Sequence, residues 1–159
     1  MNPYQQAVHD FHVAMNQPHP DHATLEDYPF ELRAKLILEE ALEFVQASGL
    51  YVYAGDGNNT LVELNSKVPE CKIDFAPGKQ PPDWPEMVDA LCDLLYVVFG
   101  AAVSMGVDLD PFFDAVHKAN MLKSTGPVRE DGKRLKPPGW TPPDIAGLLE
   151  ALRAKENAR

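Results

Sequence analysis

Apolar residues recur at helical spacing over most of this chain, interrupted by clusters of proline and glycine. Val8, Phe11, His12 and Met15 mark a first helix from Pro3 to about Met15. The stretch NQPHPDHATLEDYP, broken by Pro18, Pro20 and Pro29, is a loop. A long second helix is predicted from about Pro29 to Ser48, stopped by Gly49. Residues 50–82 lose the helical period; within them LYVYAGDGNNTLVEL predicts a small hairpin turning at Asp56-Gly57 or Gly57-Asn58. A third helix starts in KQPPDWPEM and runs to about Met105, before Gly106. A fourth runs from Asp110, read as its N-cap with Pro111 at the first helical position, to about Leu122. The Pro- and Gly-rich tail GPVREDGKRLKPPGWTPPD is extended, and a last helix follows Pro143 with Ile145, Leu148, Leu149 and Leu152 at helical spacing. The pattern is all-α: a four- to five-helix bundle with a small irregular or hairpin insertion at about 50–82. A chain of 159 residues fits a single domain, here with an extended tail and helix from about residue 124.

Six acids break the apolar pattern of the second and third helices. LILEEALEFV carries Glu39, Glu40 and Glu43; EMVDALCDLLYVVFG carries Glu86, Asp89 and Asp93. At 3.6 residues per turn the first trio spans an arc of roughly 100° and the second roughly 60°. Like charges on one helix face repel rather than support the helix. Among Leu36, Ile37, Leu42, Phe44, Val88, Leu91, Leu94 and Leu95, such carboxylates are costly unless something positive neutralises them. Two facing trios would make an all-oxygen cup for a hard divalent cation such as Mg²⁺. The plainer alternative is that each stripe is the solvated face of an amphipathic helix. A di-iron bundle fits poorly, because it pairs its glutamates with a Glu-x-x-His motif and no histidine stands three residues after any of these acids.

Composition narrows the function further. A hydrophobic share of 45% and a charged share of 24% are those of an ordinary globular protein. No uninterrupted apolar run reaches the roughly 18 residues of a membrane span. The N-terminus lacks the basic and apolar regions of a signal peptide, so a cytoplasmic location without membrane attachment is expected. A net charge of −10 argues against nucleic acid as a partner. Yet Lys118, Lys123, Arg129, Lys133, Arg134 and Lys136 crowd into one segment opposed only by Glu130 and Asp131. An acidic cup plus a compact basic segment suits a polyanion bound through a metal. His9 with His12, and His19 with His22, have no matching Cys or carboxylate motif for zinc. Cys71 and Cys92 have no metal-ligand spacing, and Cys92 reads as a small core residue.

Glu39-Glu40-x-x-Glu43, followed by Asp93-Leu94-Leu95-Tyr96 on the next helix, resembles the MazG-like all-α nucleotide pyrophosphohydrolases, whose signature is EExxE and then ExxD. Three residues before Asp93, where that family carries Glu, this chain has Ala90. Asp89 lies one position further back, and a literal ExxD occurs one turn earlier as Glu86 to Asp89. The run VHKANMLKSTGPVREDGKRLKPPGW resembles the Asn-x-x-Lys and Asp-Gly-Lys segment of one MazG-like branch. The resemblance implies hydrolysis of a (deoxy)nucleoside triphosphate to monophosphate and pyrophosphate with Mg²⁺ or Mn²⁺. It implies metal ligands among Glu39, Glu40, Glu43, Asp89, Asp93 and Glu86, with Glu40 as either the proton acceptor or one more ligand. It also implies phosphate contacts from Asn120, Lys123, Lys133 and Lys136. The branch points first to dUTP or a related deoxynucleotide in pool sanitation. Phosphoribosyl-ATP hydrolysis is the enzymatic alternative, and a non-catalytic metal-binding interaction protein is the alternative of another class. The resemblance also implies a homodimer or tetramer, and the apolar character of both acidic helices nearly all round is consistent with burial beyond one helical layer. Phe11, Phe44, Tyr96 and Trp140 are candidates for a base-stacking wall, though each equally suits simple packing.

Overall fold

The structure, a computed structural model, describes residues 1–55, 72–130 and 134–158. Its elements are α1 (Pro3–Ala14), α2 (Phe30–Ala47), β1 (Leu50–Gly55), β2 (Lys72–Pro77), α3 (Trp84–Ser104), α4 (Asp110–Leu122), a 3-10 turn (Lys123–Thr125) and α5 (Ile145–Glu156). The architecture is the all-α one expected, with one two-stranded antiparallel sheet inserted between α2 and α3. The chain forms two compact units: Met1–Pro29 with Phe99–Arg159, and Phe30–Val98.

In the first unit, Val8, Ala102 and Val103 are almost fully buried, with Phe112 and Ala119 close behind. The Asn2 side chain caps α1 by accepting from the Tyr4 and Gln5 amides at 3.0 Å. Gln5 is wholly buried and satisfied: its amide donates to the Val107 carbonyl at 2.7 Å, and its oxygen accepts from the Leu109 amide at 3.1 Å. A buried amide with both ends paired ties α1 to the turn that leads into α4. His12 is buried as well, bonded through Nδ1 to the Pro18 carbonyl at 2.8 Å, which is a packing role. Asp110 is not the N-cap of α4. Leu109 holds that position without a side-chain bond, and Asp110 is helical, accepting from Asn2 Nδ2 at 2.8 Å. Gly106 sits at φ +67° against the His22 carbonyl, a combination only glycine tolerates.

The second unit is organised by a junction. The chain leaves α2 through Gly49 (φ +70°), where an added Cβ would lie 2.8 Å from the Gln80 carbonyl. It runs out along β1 and returns along β2, with Leu50 opposite Pro77 and Gly55 opposite Lys72. The Gly78 amide then donates to the Gly49 carbonyl at 2.6 Å, and the Asp83 amide to the Ala47 carbonyl at 2.8 Å. The start of α3 is thereby fastened to the end of α2. This corrects the hairpin expectation. β1 pairs with residues 72–77 rather than with a strand just past a tight turn, because the returning chain must close on the α2–α3 junction. The proposed turn residues lie outside those described.

α3 differs from expectation in two ways. It is long and apolar enough to cross a membrane by length and composition alone, a property shared by core helices. Counting uninterrupted apolar runs missed this because Asp89 and Asp93 break the run. Cys92 is exposed rather than a core residue. Ala90 is buried and Leu94 half-buried, while Trp84, Val88, Leu91 and Leu95 share an exposed arc of roughly 60° on another side.

Candidate active site

Four of the acids act electrostatically on Glu40. It lies about two turns back from the junction at Ala47, and Asp89 and Asp93 lie about two to three turns beyond Asp83. Half-buried Leu36, Ile37 and Phe44 line the same stretch of α2. Burial pushes the Glu40 carboxyl above its ordinary value of 4.5, and Glu43, Asp93, Glu39 and Asp89 push it further in that order. Glu40 Oε2 is fully buried and has no hydrogen-bond partner. A buried carboxylate oxygen without a donor costs free energy in the absence of a positive partner.

Five of the six sequence-nominated acids therefore share one electrostatic neighbourhood, and it lies wholly within the second unit. Glu39 is exposed and makes an i,i+4 pair with Lys35 at 3.6 Å. Glu43, Asp89 and Asp93 are also exposed. Glu86 is not among the leading causes of the raised Glu40 carboxyl. Its backbone amide is capped by Asp83 Oδ1 at 3.3 Å, and it borders an open cleft of about 770 Å³ together with Glu43, Gln46, Gln80 and Trp84. Sequence reasoning did not find this cleft. The run Gln80-Pro81-Pro82-Asp83-Trp84-Pro85 was its only trace, since rigid prolines beside an exposed tryptophan make a poor core but a good rim.

Among the described residues, no three His, Cys, Asp or Glu side chains converge to metal-binding distance. Like-charged tips repel one another into solvent. The donor set nonetheless fits a hard divalent cation: every group is a carboxylate, and the central one has a buried, unpartnered oxygen.

The nominated phosphate contacts lie in the first unit. Asn120 Oδ1 accepts from Lys123 Nζ at 2.7 Å. Lys123 Nζ stands 5.4 Å, and Lys136 Nζ 4.2 Å, from the centre of the Trp140 ring. Lys133 lies outside the described residues. Trp140 is half-buried, and its Nε1–H donates to the Ala119 carbonyl at 2.8 Å. It holds lysines in place, a role the sequence does not reveal.

An all-α fold that gathers the acids of an EExxE helix and the helix after it has the architecture of the all-α NTP pyrophosphohydrolases. The model of the phosphoribosyl-ATP pyrophosphohydrolase family matches residues 8–120, well over half of the chain, and the chain belongs to that family. No curated protein sequence matches it.

Proposed function

We propose that the chain hydrolyses phosphoribosyl-ATP to the monophosphate and pyrophosphate, in a reaction dependent on Mg²⁺ or Mn²⁺. The observation that carries this reading is the carboxylate field centred on Glu40, set on the two helices that the family match covers from end to end. The family match moves phosphoribosyl-ATP ahead of the dUTP expected from sequence. In the reaction, water forms a bond to the α-phosphorus, the bond from that phosphorus to the bridging oxygen breaks, and pyrophosphate departs. A divalent ion held by Glu39, Glu43, Asp89 and Asp93, with the buried Glu40 Oε2 as a further ligand, would supply neutralisation of the triphosphate and Lewis acidity. The second oxygen of the Glu40 carboxylate takes the proton of the attacking water. Lys123 and Lys136 are the phosphate-binding groups of the first unit.

One observation favours a deoxynucleoside triphosphate such as dUTP as a second reading. The basic tail carrying Lys123 and Lys136 lies beyond residue 120, where the family match ends. Pyrophosphate release from phosphoribosyl-ATP, the dNTPs and the NTPs, with Mg²⁺ and with EDTA, decides between them. Turnover of phosphoribosyl-ATP that EDTA abolishes is the expected result. Faster turnover of a dNTP would replace the first reading with the second. No turnover at all, with Mg²⁺ bound, would favour a non-catalytic scaffold.

A further inference from the structure

The tail after α4 folds back on itself. The Leu135 amide donates to the Pro127 carbonyl at 2.8 Å, and Val128 bridges Arg134 in antiparallel fashion. Arg134 Nη1 donates to the Ser124 carbonyl at 2.8 Å and to the Gly126 carbonyl at 3.2 Å. Gly126 is buried against the Leu135 carbonyl, leaving no room for a side chain. The doubling-back returns the chain to Lys136, and a turn through Gly139 (φ +77°) leads to Trp140, whose ring meets both Lys123 and Lys136.

The outcome is unusual for a chain of net charge −10. Two ammonium groups are gathered on one indole, and among the described residues neither forms an ion pair. Mutual repulsion would separate two such flexible side chains. The negative face of the ring holds them, and the Nε1–H bond to Ala119 fixes that ring on α4. Lys123 spends one of its three donors on Asn120, so most of the donor capacity of the pair stays open. Paired cations with open donors suit a polyphosphate chain.

We propose that Trp140 is a positioning residue for polyphosphate, holding the Lys123 and Lys136 ammonium groups together as one grip. This rests on the phosphate-binding role given to Lys123 under the proposed function. The test is calorimetric titration of the full chain, in Mg²⁺, with inorganic tripolyphosphate, comparing wild type with Lys123→Met, Trp140→Leu, Trp140→Phe and the Lys123→Met/Trp140→Leu double variant.

Trp140→Leu removes both cation–π contacts and should weaken binding about five- to tenfold. Trp140→Phe keeps a ring face but loses the N–H donor, and should recover most of that loss. A residue acting only as an anchor through Nε1–H would show no such rescue. The double variant should bind no more weakly than Lys123→Met alone, because both changes disable one grip. Loss in Lys123→Met with wild-type affinity in Trp140→Leu would overturn the role of Trp140 and leave the phosphate reading standing. Wild-type affinity in Lys123→Met would overturn both. Equal loss in the Phe and Leu variants would reduce Trp140 to an anchor.

Discussion

Replacing Glu40 by Gln should make the metal-free protein more stable while removing its response to metal. Glu40 Oε2 is buried without a donor, and four further carboxylates raise the cost of its charge. An amide there is still unpartnered but neutral, so the recovered difference is about 1–2 kcal/mol. For a chain of this size that corresponds to a rise of roughly 2–6 °C in the melting temperature measured in EDTA. The wild type should gain about 2.7 kcal/mol from Mg²⁺ at a hundredfold excess over its Kd, whereas Glu40→Gln should gain little.

The pH dependence has a definite sign. Glu40 holds its proton more tightly in the fold than in the unfolded chain, where 4.5 is ordinary. Its destabilising effect is therefore absent below 4.5, grows as pH rises through the raised value, and is complete above it. Differential scanning calorimetry in EDTA should show wild type and Glu40→Gln converging as pH falls toward 4.5 and diverging above. A Glu40→Gln variant that melts lower than wild type in EDTA at neutral pH, with an unchanged Mg²⁺ shift, would refute the reasoning.

Three further substitutions test which acids belong to the site. Asp93→Asn and Asp89→Asn remove charges that act on Glu40, and each should lower kcat/KM by at least about a hundredfold, whereas Glu86→Gln should stay within about fivefold; equal losses in all three would place Glu86 in the cluster. Ala90→Glu completes a literal ExxD with Asp93 but at a buried position, so it should cost about 1–3 kcal/mol in urea denaturation without raising activity. A gain in turnover there would mean that the site still lacks a ligand at residue 90.

Local signals were legible in the sequence and nonlocal ones were not. The EExxE face and the glycine stop at Gly49 are written within a turn or two of chain, and the helices appear where the period placed them. Choosing Asp89 over Glu86 needs the phase of α3 relative to α2. That phase is fixed by the Asp83–Ala47 and Gly78–Gly49 hydrogen bonds, between segments separated by the whole β excursion. The exposure of Cys92 was hidden for a different reason. On a helix apolar nearly all round, periodicity cannot say which arc faces the core, and buried Ala90 rather than bulkier Leu91 marks it. Trp140 was illegible because its partners, Ala119, Lys123 and Lys136, meet only after the tail doubles back.

The same physics runs through both halves of the proposed chemistry, with opposite sign. On α2 and α3 like negative charges are forced together by apolar helices, and in the metal-free chain they find no neutralising partner at Glu40 Oε2. On α4 and the tail Lys123 and Lys136 are gathered without an ion pair among the described residues, and a ring quadrupole supplies the attraction that a carboxylate would otherwise provide. A carboxylate near Lys123 would satisfy it and close it to phosphate, whereas an indole holds an ammonium group and leaves its donors available. Unneutralised charge of this kind opposes folding and favours binding. Substitutions that relieve it should therefore raise stability and lower ligand affinity together, with Glu40→Gln the clearest instance because its orphaned oxygen is the most deeply buried part of either cluster.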